Sequence, residues 1–282
     1  MAKKMGEEAF ITLITSNVTV CPDTAAEAYR IYSNAASAVF IAGGQRLKYS
    51  KKHYDTAVDL SQTGLKQITE TADEIVVGSM ATLARLQVSP MIKALAGGAV
   101  STCISTIADK NVRTHSTIGA VLAVKEPFSV LLPILLSLQV DVVLEGKGRM
   151  NLRDYLGCPP MGEMVTQIRI AKERVYTAFA AYRVLPADEP YLTGAVAMLP
   201  DSWRIVIGGR PGRAAIAENA STELTEKGMA ARENVAHIAS EELDFGDYGT
   251  CSEQERRDLA IEMVRKLVKN AWKGYNRLPD MR

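Results

Sequence analysis

Two glycine-bearing turns are the residues best suited to chemistry. The stretch Phe40-Ile41-Ala42-Gly43-Gly44-Gln45 sets an apolar, β-branched run directly before a glycine pair. Adjacent glycines admit positive φ and carry no side-chain bulk, so successive backbone N–H groups can converge on one concavity and bind phosphate oxygens. Arg46 and Leu47 follow, and a guanidinium suits those same oxygens, although a solvated arginine is at least as common at a turn. A second turn, Thr117-Ile118-Gly119-Ala120-Val121, comes after Arg113 and His115 and precedes a long apolar run. Neither turn has the GxGxxG or GxxxxGK[ST] spacing of better-known phosphate loops, and each taken alone is more often an ordinary turn.

The remaining candidates read as structure. His53, His115 and His237 lack metal-ligand spacing, and only His115 lies beside one of the turns. Cys21, Cys103, Cys158 and Cys251 show no CxxC pattern, so buried reduced thiols are expected rather than a disulfide framework, a zinc site or an iron–sulfur site. Lys48, Lys51 and Lys52 form a short basic run that suits a solvated loop, with an anionic ligand or acidic partner as the other option. Glu233, Glu241 and Glu242 read as an exposed helix face, because nothing around them argues for shifted protonation.

Strand-then-turn order is what would place the first glycine pair. Thr24 and Glu27 have capping-box spacing at the head of a helix predicted over 24–36, and Ala38 to Ala42 is a buried strand running into the glycines. Further strands are expected at 56–60, 74–78, 140–144 and 165–170, and a hairpin joins 195–199 to 203–207 through Pro200-Asp201-Ser202. Thr82 to Val88 reads as a short helix stopped near Pro90. Met91 to Ile107 reads as a longer one, weakened at Gly97-Gly98 by about 1 kcal/mol per glycine. Ser252 and Glu255 form a second capping box before a helix whose apolar face carries Leu259, Ala260, Met263, Val264, Leu267 and Val268 and which ends before Gly274.

A chain of 282 residues suggests two domains, with a boundary near 170. Apolar residues at 47% and charged residues at 23% give an ordinary globular balance, which excludes a disordered or fibrous chain. A net charge of +1 offers no footprint for nucleic acid or an anionic membrane. The apolar stretch from Gly119 to Leu144 is interrupted by Lys125, Glu126, Pro127 and Pro133, so it is read as buried core and not as a membrane span. No leader peptide is evident at the start, the sequons at Asn17 and Asn219 therefore carry no meaning, and a cytoplasmic location is expected.

In order and spacing, these segments resemble the FAD-binding medium subunits of molybdopterin-dependent hydroxylases, the xanthine dehydrogenase and carbon monoxide dehydrogenase flavoprotein family. Pro22 through Tyr32 looks like the family's opening helix and Ala42-Gly43-Gly44-Gln45 like its first FAD pyrophosphate loop. Val58-Asp59-Leu60-Ser61 is similar to its VDLS strand, and Val77 to Leu83 to its IGAxxTL segment. Ile107-Ala108, Val112-Arg113 and Thr117-Ile118-Gly119 lead into its second loop, usually TIGGN. Gly162-Glu163-Met164-Val165 with Ile168, then Ile205 to Gly209, and the helix from Ser252 look like the approach to and body of its C-terminal domain.

The resemblance implies an α+β protein: a PCMH-type FAD-binding domain of two small α/β parts over residues 1–170, then a C-terminal antiparallel sheet with helices over 171–282. It implies FAD held by Ile41, Ala42, Gly43, Gly44, Gln45, Arg46, Leu47, Ala108, Thr117, Ile118, Gly119, Ala120, Val121, Val130 and Ile168. No catalytic side chain and no metal ligand are implied. Molybdopterin and iron–sulfur clusters would reside on two partner subunits, with NAD or another acceptor taking the electrons. Tyr49 and Tyr54 could shield the flavin, though ordinary packing is the commoner use of such residues.

Four positions depart from the family pattern. Arg46 stands where serine or threonine is usual, Ala120 and Val121 replace glycine and asparagine, and Val130 falls where an acidic residue would bond the flavin's polar tail. The lysine that often precedes the family's RxxxD segment has no clear counterpart around Ala180 and Arg183. Two readings follow: an FAD site in which Arg46 offsets the lost hydrogen bonds, or a flavin-free docking subunit of the same kind of complex.

Overall fold

The computed structural model describes residues 15–45, 47, 50–159, 162–185 and 188–279. They form two compact units that divide between Gly64 and Leu65.

The first unit is built from β1 (Ser16–Val20), α1 (Ala25–Asn34), β2 (Ala38–Ile41) and β3 (Tyr54–Asp59). Both outer strands pair parallel to β3, giving the order β1-β3-β2. Parallel strands need a crossover, and α1 supplies it. Thr24 starts that helix as expected, its Oγ1 accepting the Glu27 amide at 3.2 Å. Ala28 is fully buried, and Tyr32 stacks on Phe40 with ring centroids 4.1 Å apart, which fixes α1 over β2.

The second unit begins with β4 (Ile68–Glu70), β5 (Glu74–Gly78), α2 (Leu83–Val88), α3 (Pro90–Ala94), α4 (Ala99–Ser105), α5 (Lys110–His115), α6 (Ile118–Val124) and α7 (Leu131–Ser137). It continues through β6 (Val140–Leu144), β7 (Gly148–Asn151), α8 (Leu152–Gly157) and β8 (Val165–Ala171). The five strands form one sheet in the order β4-β5-β8-β6-β7, every neighbour antiparallel. Alternation sends Ile75, Val77, Val140, Val142, Ile168 and Ile170 into the core. The opposite face carries a charged ladder in which Arg149 bonds Asp141 and Glu74, and Arg169 bonds Glu74 at 2.8 Å.

The predicted helix over 91–107 is broken in two. Ala96, Gly97 and Gly98 have φ of 53°, 67° and 85°, which no continuous helix allows. The cause is tertiary: a Cβ on Gly97 would lie 2.3 Å from the Tyr176 ring, and the turn lets α4 pack on both α2 and α7.

A second antiparallel sheet follows, from β9 (Tyr176–Tyr182), β10 (Leu192–Met198), β11 (Trp203–Gly208) and β12 (Ala215–Ile216), in the order β12-β11-β10-β9. The expected hairpin is present, Met198 facing Trp203 and the Leu199 amide donating to the Ser202 carbonyl at 2.9 Å. Three helices complete the unit: α9 (Glu218–Lys227), α10 (Arg232–Glu242) and α11 (Glu253–Tyr275). The Ser252/Glu255 capping box forms in full, but α11 runs past the expected stop through Gly274. A Cβ there would meet the Tyr176 ring at 2.2 Å, so this glycine serves close packing rather than helix termination. The fold is the expected mixture of helices with antiparallel sheets.

Helix α7 packs on the sheet formed by β9 to β12 and on α4. All seven of its residues are buried, which explains why Leu131 to Ser137 reads as a continuous apolar run with no polar face. Only Cys103 of the four cysteines is buried; Cys21 is exposed and Cys158 and Cys251 are half-exposed, so the expectation of buried thiols holds at one position.

Arg256 is the largest fully buried side chain. Its guanidinium donates to the carbonyls of Gly246 (3.0 Å), Gly209 (2.8 Å), Tyr248 (2.8 Å) and Tyr191, tying α11 to the ends of β10 and β11. Replacing it by methionine roughly keeps the volume and strips four backbone carbonyls, one buried and three part-buried, of this donor. We expect Arg256→Met to lower unfolding free energy by about 3 kcal/mol or more, read as a fall in urea midpoint; an unchanged midpoint would refute this role.

Candidate functional site

The first turn closes the parallel sheet. Ile41, opposite Asp59, is the last residue of β2, and the chain then enters Gly43 and Gly44 with φ of 86° and 70°. A Cβ on Gly44 would meet nothing within 4 Å, so glycine is required here by conformation and not by crowding. Among the described residues the amides of Gly43 and Gly44 donate to no protein acceptor. Two adjacent, unengaged amides in a positive-φ turn are of the kind that can bind an anion. Ala42, Gln45 and Leu47 flank it, and Arg46 lies outside the described residues, as do Lys48 and Tyr49.

The second turn is in the second unit and is built differently. Thr117 bridges Thr82, the Leu83 amide donates to Ser116 O (2.9 Å), Ile118 to Ala81 O (3.0 Å) and Gly119 to Ser79 O (2.8 Å). Thr117 caps α6, its Oγ1 accepting the Ala120 amide at 3.4 Å, and Val121 donates to Thr117 O at 3.2 Å. The amides of 118 to 121 therefore all have protein acceptors. A Cβ on Gly119 would lie 2.6 Å from Ser79 Cβ and 2.8 Å from Ser79 O, so only glycine fits.

Ser79 is the residue that sequence reasoning passed over. It is buried against Gly119, and its hydroxyl has no hydrogen-bond partner. An unpaired buried donor costs about 1–3 kcal/mol, which an acceptor oxygen brought to this turn would relieve. The available signal was serine standing where the IGAxxTL pattern has alanine.

The other expected contacts lie elsewhere in the second unit, in distinct settings. Ile168 is buried on β8, the strand on which α6 packs. Ala108 has φ of 44°, and its carbonyl accepts Arg113 Nη1 at 2.6 Å. Val130 is buried ahead of α7, and its carbonyl accepts the Cys103 thiol at 3.4 Å; burial pushes that thiol's pKa up. His115 is held within α5, its Nδ1 2.9 Å from Asn111 O.

Immediately after α6, Lys125 is buried at φ 52° with its ammonium donating to Tyr155 O (2.6 Å) and Cys158 O (2.8 Å) and lying 4.0 Å from the Tyr155 ring centroid. Arg213 donates to Leu156 O (2.7 Å) and Cys158 O (3.1 Å), so two cations close the C-terminus of α8. Desolvation pulls the Lys125 pKa down, opposed by Glu163, while burial pushes Tyr155 up to about 12. This cluster anchors the backbone between α6 and α7.

A glycine turn after a parallel strand, and a second turn packed on a buried serine, can each engage a ligand through backbone or hydroxyl groups. Residues 14–172, more than half of the chain, match the model of the FAD binding domain in molybdopterin dehydrogenase, and the chain belongs to that family. It is 30% identical over 190 residues to the uncharacterized protein YgfM of Escherichia coli (strain K12), covering 66% of this chain and 71% of that protein.

The fold is shared with solved oxidoreductases. A chain of quinoline 2-oxidoreductase from Pseudomonas putida 86 superposes with a TM-score of 0.82 at 21% identity, covering 96% of this chain and 99% of that one. A chain of reconstituted CO dehydrogenase from Oligotropha carboxidovorans gives 0.81 at 23% identity, covering 94% and 98%. CO dehydrogenase from Hydrogenophaga pseudoflava, in a form lacking the Mo-pyranopterin moiety of its molybdenum cofactor, gives 0.79 at 21%, covering 93% and 98%. Among the described residues no helix is long and apolar enough to cross a membrane, and no cluster of three or more His, Cys, Asp or Glu could hold a metal ion.

Each turn by itself has chemistry compatible with FAD: in the first unit the unengaged amides of Gly43 and Gly44 suit phosphate oxygens, and in the second the unpaired Ser79 hydroxyl suits a polar acceptor near Gly119. Ser79→Ala should leave the ligand-free protein as stable or slightly more stable, since it removes an unsatisfied polar group, while weakening FAD binding several-fold. Melting curves with and without added FAD separate these effects; a loss of stability in both states would contradict the assignment.

Proposed function

We propose that this chain is the electron-transferring subunit of a cytoplasmic molybdenum hydroxylase, taking electrons from iron–sulfur clusters on one partner and delivering them to an acceptor such as NAD. A second partner carries the molybdopterin and oxidises the substrate. In this reading residues 1–170 form the FAD-binding domain and residues 171–282 the C-terminal flavoprotein domain. Bound FAD supplies the redox chemistry, and the protein supplies orientation and tuning.

The observation that carries the reading is the Gly43–Gly44 turn, whose open amides stand inside the matched region. We assign the pyrophosphate to Gly43, Gly44 and the flanking Ile41, Ala42, Gln45, Arg46 and Leu47, and the remaining contacts to Ala108, Thr117, Ile118, Gly119, Ala120, Val121, Val130 and Ile168. No side chain of the chain is assigned a catalytic proton transfer.

One observation favours a second reading. Because the amides of 118 to 121 already have acceptors within the protein, the second turn has few donors to offer, as expected of a flavin-free docking subunit.

Purification through a tag on this chain from its native host should bring down two further chains together with iron and molybdenum. NAD added to the anaerobically reduced complex should then reoxidise the flavin within the enzyme's turnover time. Recovery of this chain without metal-bearing partners would sink the subunit assignment. A flavin left reduced by NAD would remove NAD as the acceptor.

A further inference from the structure

The site assigned above takes nothing from β3, although that strand lies next to β2 and ends beside the first turn. The paired positions run Val20–Val58–Phe40 and then Asp59–Ile41, so side chains alternate between the two faces in step across the sheet. Phe40 stacks on Tyr32 of α1 and marks the covered face. Ile41 and Asp59 therefore share the opposite face at the carboxyl end of the sheet, where the Cys21 thiol lies 3.9 Å from Asp59 Oδ2. Ligands of parallel sheets gather at this end of the strands.

The structural duty of Asp59 leaves most of its carboxylate free. Oδ1 accepts the Ser61 amide at 2.8 Å and starts the 3-10 turn Leu60–Gln62. That bond takes one of about four lone-pair sites, and a thiol is a weak donor for the rest. Among the described residues no cation pairs with Asp59, which is half-buried. The unengaged amides of Gly43 and Gly44, at the end of the neighbouring strand, attract anions, whereas a carboxylate repels them. Adjacent strands are about 4.8 Å apart, so a ligand with phosphate at the turn presents its next group to Asp59, and a group that donates hydrogen bonds suits that place. The ribose of an adenosine carries two hydroxyls on adjacent carbons, a pair that matches the two oxygens of one carboxylate. Phosphate at a glycine turn with sugar hydroxyls on an acidic residue farther along is how other parallel sheets hold dinucleotides. We infer that Asp59 binds the adenosine ribose of FAD and selects a ribonucleotide, an assignment that rests on the FAD reading above. A deoxyribose lacks the donors, and a phosphate on either hydroxyl is repelled.

Titration of the full chain with FAD, and with an FAD analogue lacking both hydroxyls of the adenosine ribose, tests this through quenching of flavin fluorescence. The wild type should bind FAD about tenfold or more tightly than the analogue. Asp59→Ala should weaken FAD by about that factor and leave the analogue unchanged, so that the preference disappears. Asp59→Asn keeps an acceptor for the Ser61 amide and decides the matter if alanine lowers both affinities through loss of the cap: it should hold analogue affinity at the wild-type value and reduce the preference. A wild type that binds both dinucleotides equally, or a preference untouched by Asp59→Asn and Asp59→Ala, would overturn the assignment while leaving FAD as the ligand. A wild type that takes up neither dinucleotide removes the FAD reading, and this assignment with it.

Discussion

Contact between Gly119 and Ser79 is the constraint on which the second turn depends. Residues 79–83 and 116–119 run against each other through three backbone hydrogen bonds, close enough that a methyl group on Gly119 would overlap Ser79. That contact sets where α6 begins, and Thr117 then caps it. Its consequence is chemical: the amides at the turn are committed to the protein, and the uncommitted donor is a serine hydroxyl. The first turn is the reverse case, with open space, positive φ and unengaged amides.

Farther along the chain, packing rather than hydrogen bonding sets positions. Helix α7 has no polar face because all seven of its residues are buried, packed on the sheet of β9 to β12 and on α4. Tyr176 does similar work at β9, its ring meeting both Gly97 and Gly274, so one aromatic side chain accounts for a helix break and for a glycine inside α11. Arg256 then secures the helix to the ends of β10 and β11.

Much of this was legible in the sequence wherever the signal was local. Thr24 with Glu27, Ser252 with Glu255, and Pro200-Asp201-Ser202 acted as their spacing implied, because caps and turns depend on neighbours a few residues away. The order of the glycine turns and their surrounding segments gave the family. Features set by distant residues were not legible. The break at Ala96 depends on Tyr176, the commitment of the 118–121 amides depends on residues 79–82, and the unequal burial of the cysteines depends on which helix or loop carries each one. Strand β9 escaped notice because Tyr176 to Tyr182 is rich in alanine, which has weak strand preference.

Whether the chain holds FAD is the central question. The most direct measurement is the visible absorbance spectrum of the purified protein, followed by heat release and chromatography of any yellow chromophore. The account predicts FAD at close to one per chain, lost when Gly43 and Gly44 are both replaced by valine. A colourless protein that also fails to take up added FAD, alone or within its complex, would contradict it and leave a flavin-free docking subunit in its place.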